Sequence, residues 1–379
     1  MKRISIYLFI GLYLLLANNL YAQRTIWTKE QANTWYKNQP WLVGSNYIPY
    51  NAINQLEMWQ AETFDPQTID KELGWAEQLG FNTLRVYLHD KVWQQDPDGF
   101  KGRIDQFLTI CTKHNIRPMF VLFDSCWDPM PKLGKQREPR PGVHNSGWMQ
   151  NPGAEILQDK SKYPMLEEYV KDVVEHFATD KRVLAWDVWN EPDNMNDARF
   201  KEEPANKIDL VTALLPRVFE WARSVNPSQP LTSGIWKGDW SNHEKLQPFE
   251  KIQIENSDVI SFHNYDSPQD FEKRVKWLQA YGKPLLCTEY MARGNNSTFQ
   301  GTLPLAKKYN VAAYNWGFVA GKTNTIYPWD SWKKVYNSEP QVWFHDIFRP
   351  NGKPYSENEV RLIRQLTARK KQKEPAAVN

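Results

Sequence analysis

The stretch AWDVWNEPDN, residues Ala185 to Asn194, decides the reading of this chain. Its apolar, tryptophan-rich half favours a pleated strand. That strand must stop at Pro192, whose ring nitrogen has no N–H to give a ladder. Glu191 therefore stands where a strand ends and a loop begins, the edge on which α/β proteins usually place their chemistry. The rest of the chain must supply a partner for it.

Working outward, short β-rich runs recur: WLVGSNYI (41–48), NTLRVYL (82–88), RPMFVLF (117–123), VLAWDVW (183–189), PLTSGI (230–235), VISFHNY (259–265), PLLCTEY (284–290) and VAAYNWGF (311–318). Helical patterns lie between most of them. The clearest opens at Asp65-Pro66, an N-cap followed by proline at the first helical position, and ends at Gly80. Others are YPMLEEYVKDVVEHFA, VTALLPRVFEWARSV and SPQDFEKRVKWLQAYG. Strand and helix alternating through eight runs predict a parallel sheet closed into a (β/α)8 barrel. The rival, a doubly wound open sheet, lacks its Gly-rich phosphate turn, because GSNY after the first strand does not match G-x-G-x-x-G.

Size and charge agree with one barrel. The chain has 379 residues, 41% of them hydrophobic, and barrels of this kind typically take about 250 residues and more with insertions. Its 47 basic and 44 acidic residues leave a net charge of +3, no electrostatic footprint for nucleic acid. The one like-charge cluster, ARKKQKEP near the end, reads as a solvated tail. Residues 1–22 read as a signal peptide: Lys2 and Arg3, an apolar stretch from Ile4 to Ala17, and the small residue Ala22. That stretch is shorter than the ~20 residues of a membrane span, so a single catalytic domain over 23–379 working in the periplasm or outside the cell is expected. Three cysteines, Cys111, Cys126 and Cys287, make no disulfide framework. The 18 tryptophans are the outlier, and suit either a large core or flat platforms for sugar rings.

A barrel gathers chemistry at the carboxyl ends of its strands. The run ends here carry Arg85, His89, Asp124, Asn190, Glu191, His263, Tyr265, Glu289 and Trp316. The proline- and glycine-rich segment from Trp127 to Tyr163 follows the third run on the same face, and loops that long are usually functional. Strand alternation groups Thr83, Arg85, Tyr87 and His89 on one face, Ser261, His263 and Tyr265 on another, and Leu285, Cys287 and Glu289 on a third. Leu84, Val86 and Leu88 then face the helices. Asp187 reads as a buried polar partner inside the barrel, and Cys126 as a small core residue. Neither H-E-x-x-H nor paired C-x-x-C occurs, so no metal and no cofactor are expected.

Two glutamates facing each other across a barrel mouth suit glycoside hydrolysis. Carboxyls about 5–5.5 Å apart give a nucleophile and an acid, and about 6.5–9.5 Å leaves room for an inverting water. An Arg and a Tyr beside one Glu would keep it ionised, and the other, next to that charge, would hold its proton.

WNEP on the fourth run, HNY on the sixth and TEY on the seventh, with a Trp on the eighth, resemble clan A of the glycoside hydrolases. Family five, which includes cellulases and β-mannanases, is the nearest match, from about Trp41 to the C-terminal helix. The resemblance implies Glu191 as acid/base and Glu289 as nucleophile. It implies Asn190 on the sugar 2-hydroxyl, Arg85 and Tyr265 orienting the nucleophile, and His263 bonding near the acid/base. Trp316 would floor the subsite on the non-reducing side, with a cis peptide bond to Gly317. The third run departs from the pattern: FDSCWD stands where many members carry a histidine, and His89 is the expected stand-in. Trp127, Trp148, Trp236, Trp240, Trp329 and Trp332 follow strands, and half of them are expected to be sugar platforms, Trp127 and Trp236 among them. The expected activity is retaining hydrolysis of a β-linked glycan. The rivals are a barrel that binds carbohydrate without catalysis and a transglycosylase using the same residues.

Overall fold

A computed structural model describes residues 24–368. The signal-like residues 1–22 and the basic run beyond Ala368 lie outside the described residues. Eight strands form one sheet: β1 (Val43–Asn46), β2 (Thr83–Tyr87), β3 (Arg117–Val121), β4 (Ala185–Asp187), β5 (Leu231–Thr232), β6 (Ile260–His263), β7 (Leu285–Tyr290) and β8 (Ala312–Asn315). All pairings are parallel, in the order β5-β4-β3-β2-β1-β8-β7-β6. The two ends meet through a parallel bridge between Ile235 and Phe262, where the His263 N–H donates to the Ile235 carbonyl at 2.9 Å. The sheet is thereby closed, the (β/α)8 barrel that the eight runs predict.

A helix follows each strand and packs its apolar stripe on the outside of the sheet. The first, Pro66–Gln78, is capped by Asp65, whose carboxylate accepts from the Thr68 N–H, and it stops where Gly80 takes a φ of +76°. Leu84, Val86 and Leu88 of the second run pack among helix residues such as Ile69, Leu73 and Phe107. Leu42, Met119, Leu184, Leu286 and Tyr314 belong to a second cluster that plugs the amino end of the barrel. Gly44 allows β1 to approach β2 closely, since a Cβ there would fall 1.8 Å from the Thr83 carbonyl oxygen. Among the described residues no helix is long and apolar enough to cross a membrane. All three cysteines are free thiols.

Strand β7 corrects the alternation read from sequence. Phe262 pairs with Cys287 and His263 with Glu289, while on the other side Cys287 pairs with Ala313 and Tyr290 with Asn315. Both neighbours therefore see one extra residue in β7, a bulge at Thr288–Glu289. Leu285 and Cys287 pack in the outer core, Leu286 in the inner cluster. Thr288 lies beside Ser261 and His263, where all three would meet a Cβ on Gly234. Leu285, Cys287 and Glu289 thus do not share a face. The bulge lets Glu289 turn inward directly after Thr288.

Candidate active site

At the centre of the barrel mouth lies Arg85, 0% exposed. A bare guanidinium at that depth is tolerated only if its donors are used. Its Nε and Nη2 donate to Asp187 at 3.0 and 2.7 Å, and Nη2 also donates to Asn190 Oδ1 at 2.8 Å. Its Nη1 reaches Asn46 Oδ1, the Tyr87 hydroxyl and Glu289 Oε1 at 2.9, 2.6 and 2.9 Å. Asp187 is the buried polar partner expected of it, and burial pushes its carboxyl up while Arg85 pulls against that.

Glu289 accepts three hydrogen bonds. Besides Arg85, the Tyr87 hydroxyl donates to Oε1 at 2.9 Å and the Tyr265 hydroxyl to Oε2 at 2.7 Å. Burial above all pushes both phenols well over their usual range, so both stay protonated and donate.

Glu191 is held by different groups. Chain reversal after β4 puts its backbone at φ +41°, a left-handed conformation that a non-glycine residue adopts only when its surroundings impose it. His263 Nδ1 lies 2.8 Å from Oε1, Asn194 Nδ2 donates to Oε2 at 2.6 Å, and the Cys126 thiol lies 3.4 Å from Oε2. Burial pushes this carboxyl up, but the His263 contact and the Asn194 and Cys126 hydrogen bonds outweigh it and hold it below the ordinary carboxylate value. These contacts favour the charged form of Glu191, an influence that the sequence reading did not include. Hydrogen-bond donors that a sequence cannot place in space set its state.

An oxygen of Glu191, one of Glu289 and a ring nitrogen of His263 lie within 4.8 Å of one another. An ion could bridge such a trio, but the cation this site already provides is the Arg85 guanidinium, 2.9 Å from Glu289. Oxygens this near agree with the close carboxyl pair of a double displacement.

Asn190 is oriented on both sides: Oδ1 accepts from Arg85, and Nδ2 donates to Asp124 Oδ1 at 2.9 Å. Asp124 also accepts from Trp148 Nε1 at 2.6 Å, and burial raises its carboxyl to about 6. Trp127, Asn190, Glu191, Trp236, Tyr265, Glu289 and Trp316 all line one cleft of about 270 Å³. Of the six loop tryptophans, Trp127, Trp236 and Trp329 reach it. Trp148 and Trp240 are buried, and Trp332 stacks flat behind Trp127 at 5.5 Å.

Two expectations are corrected. His89 is 0% exposed and away from the cleft, because β2 ends at Tyr87 and His89 already caps the helix Asp90–Gln95, its Nδ1 3.2 Å from the Lys91 nitrogen. Alternation no longer applies past the strand end. Among the described residues the one cis peptide is Asn151–Pro152, so Trp316–Gly317 is trans. Sequence reasoning missed Tyr87 as a partner of Glu289, although alternation had put it on the inner face. It also missed Asn194 and Cys126 as partners of Glu191, and nothing in the sequence signals which atoms a loop brings to a carboxylate.

The family model for cellulase, glycosyl hydrolase family 5, matches residues 46–334. No curated protein matches the chain. Among solved structures, the chain is similar to a variant of GH5_18 from Streptomyces cattleya in complex with Manβ1-4GlcNAc. There the TM-score is 0.59 and the identity 12%, covering 88% of this chain and 82% of that one. It is similar to the endo-β-1,4-mannanase of Thermotoga petrophila (TM-score 0.54, 15% identity, 86% and 76% covered). It is also similar to the exo-β-1,4-mannosidase Op5Man5 of Opitutaceae bacterium strain TAV5 (TM-score 0.56, 19% identity), covering 86% of this chain and 59% of that one. At these identities the structures share a fold; the family model reaches further. The chain belongs to glycosyl hydrolase family 5, the cellulase family, and is a retaining glycoside hydrolase of clan A.

Proposed function

We propose that the enzyme hydrolyses β-mannosidic bonds, with Glu289 as nucleophile and Glu191 as acid/base. Glu289 attacks the anomeric carbon as Glu191 gives its proton to the leaving oxygen; water, deprotonated by Glu191, then releases the sugar with retained configuration. What carries this reading is the pair itself: two inward carboxylates with oxygens within 4.8 Å, one wrapped by Arg85, Tyr87 and Tyr265, the other in contact with His263. Asn190, fixed by Arg85 and Asp124, meets the 2-hydroxyl of the sugar lying over Trp316. Trp236 and Trp127 are platforms on the cleft walls. The mannoside is favoured because the solved structures of this fold named above include a β-mannanase, a β-mannosidase and a complex with a β-mannosyl disaccharide.

The test is product release from β-linked mannan, glucan, xylan and galactan oligosaccharides, wild type beside Glu289→Ala. Release from the mannosides, lowered by about 10⁴-fold or more in the variant, is expected. Release from another glycan alone would overturn the substrate, and an active variant would overturn the nucleophile.

A further inference from the structure

We propose that the Trp127–Tyr163 excursion makes this enzyme act at chain ends, and that Asn145, carried on it, is the residue that grips the terminal sugar. The inference rests on the roles given above to Glu191 and Glu289. With Glu191 protonating the leaving oxygen, the leaving group lies on the side of Asn194 and Trp236. The sugar under attack lies over Trp316. Any further sugar on its non-reducing side must pass beyond Trp316, toward the ends of β1 and β2.

That route is built over. Strands β1 and β2 lie between β3 and β8 in the sheet, and the excursion after β3 is bonded to the loop after β8 across them. The Asn145 N–H donates to the Thr323 carbonyl at 2.8 Å, the His144 N–H to Ser331 Oγ at 3.0 Å, Trp332 Nε1 to the His144 carbonyl at 2.8 Å, and Asn324 Nδ2 to the Arg140 carbonyl at 3.0 Å. The loop after β1 joins the same seam: Asn54 Nδ2 donates to the Gly147 carbonyl at 2.9 Å, and Gln55 Nε2 to the Met149 carbonyl at 3.0 Å. Beneath it Trp148 packs edge-on against Tyr87 and Trp316, with ring centroids 5.1 and 5.6 Å apart. Three loops tied by this many bonds to buried groups form a fixed wall.

Asn145 is the polar group the wall presents. It is 1% exposed, and its side chain makes no hydrogen bond among the described residues, leaving Oδ1 buried and unpartnered. It lines both the catalytic cleft and a small cavity behind Trp316, which Asp346 lines with its own unpartnered Oδ1. Buried amides are nearly always satisfied, so this one calls for a partner that the protein itself does not supply. The hydroxyls of a sugar seated against the wall are donors and acceptors of the right kind. Such a site distinguishes a chain end, whose hydroxyl is free, from an internal unit, whose oxygen carries another sugar.

The experiment is a time course on β-1,4-mannohexaose labelled at its reducing end. Chain-end action releases single sugars from the first time points and leaves labelled chains shortened one unit at a time. Asn145→Gly, which tolerates the φ of +45° at this position, removes the amide without backbone strain. It is expected to lower kcat/KM on an aryl β-mannoside about tenfold, the loss of one substrate hydrogen bond, with Tm little changed. Early labelled fragments from internal cuts would overturn chain-end action and leave the mannoside reading standing. An unchanged Asn145→Gly would overturn the role of Asn145. If the cleaved glycan proves to be another, the mannoside reading fails, and the same labelled time course on that glycan decides chain-end action.

Discussion

The exits of β4 and β7 both deliver a glutamate to the barrel mouth, and they do it differently. Glu289 is still within a strand, turned inward by the bulge at Thr288–Glu289, and its donors come from β2 and from Tyr265 just past β6. Glu191 is beyond its strand, on a left-handed residue, and is held by Asn194 of its own loop, Cys126 of the loop after β3 and His263. One carboxylate sits among a guanidinium and two phenols that keep their protons. The other touches an imidazole, an amide and a thiol. The residue type is the same; the division of labour is written in the neighbours.

The sharpest way to break this comparison is to remove the proton carrier alone. Glu191→Gln is expected to lose 10²- to 10⁴-fold in kcat/KM on a substrate with a sugar leaving group, the usual worth of general acid catalysis. On a dinitrophenyl glycoside, whose leaving group needs no proton, the first step should persist and the glycosyl-enzyme should accumulate as a burst. Equal loss on both substrates would show that Glu191 does something other than move protons. A smaller effect sharpens the other half. Tyr87→Phe removes one of three donors to Glu289, and about tenfold in kcat is expected from one lost hydrogen bond. No change would mean that Arg85 and Tyr265 alone hold the nucleophile.

Much of the fold was legible because its signals are local. Each of the eight β-rich runs contains its strand, and the Asp65-Pro66 start and Gly80 stop of the first barrel helix are where cap chemistry puts them. The two glutamates were legible because each closes such a run. Reading failed where geometry leaves the regular period. Alternation assumed a straight β7 and therefore put Cys287 beside Glu289, whereas the bulge reverses the phase for a single residue. It carried His89 past the end of β2, where the chain is already turning into a helix. The partners of Glu191 come from three separate segments, and their convergence is a property of the closed barrel rather than of any one stretch. Half of the loop tryptophans turned out to line the cleft, but composition could not say which, since the burial of Trp148 and Trp240 depends on what packs above them.

The finest test of the comparison lies in pH. Against the upward push of burial, the contact with His263 is the foremost influence that holds Glu191 below the ordinary carboxylate value, and the Cys126 thiol is a weaker one. Both favour the charged form, so removing either must raise the carboxyl's proton affinity. The alkaline limb of kcat/KM reports loss of the proton from the acid of the free enzyme, and it should therefore move to higher pH. His263→Ala is expected to shift it clearly. Cys126→Ala should shift it in the same direction by less, since a thiol is a weak donor and the Sγ–Oε2 distance is 3.4 Å. A limb that moved to lower pH in His263→Ala would mean that the imidazole opposes the charge on Glu191, and the contrast between the two carboxylates would have to be drawn from their burial instead.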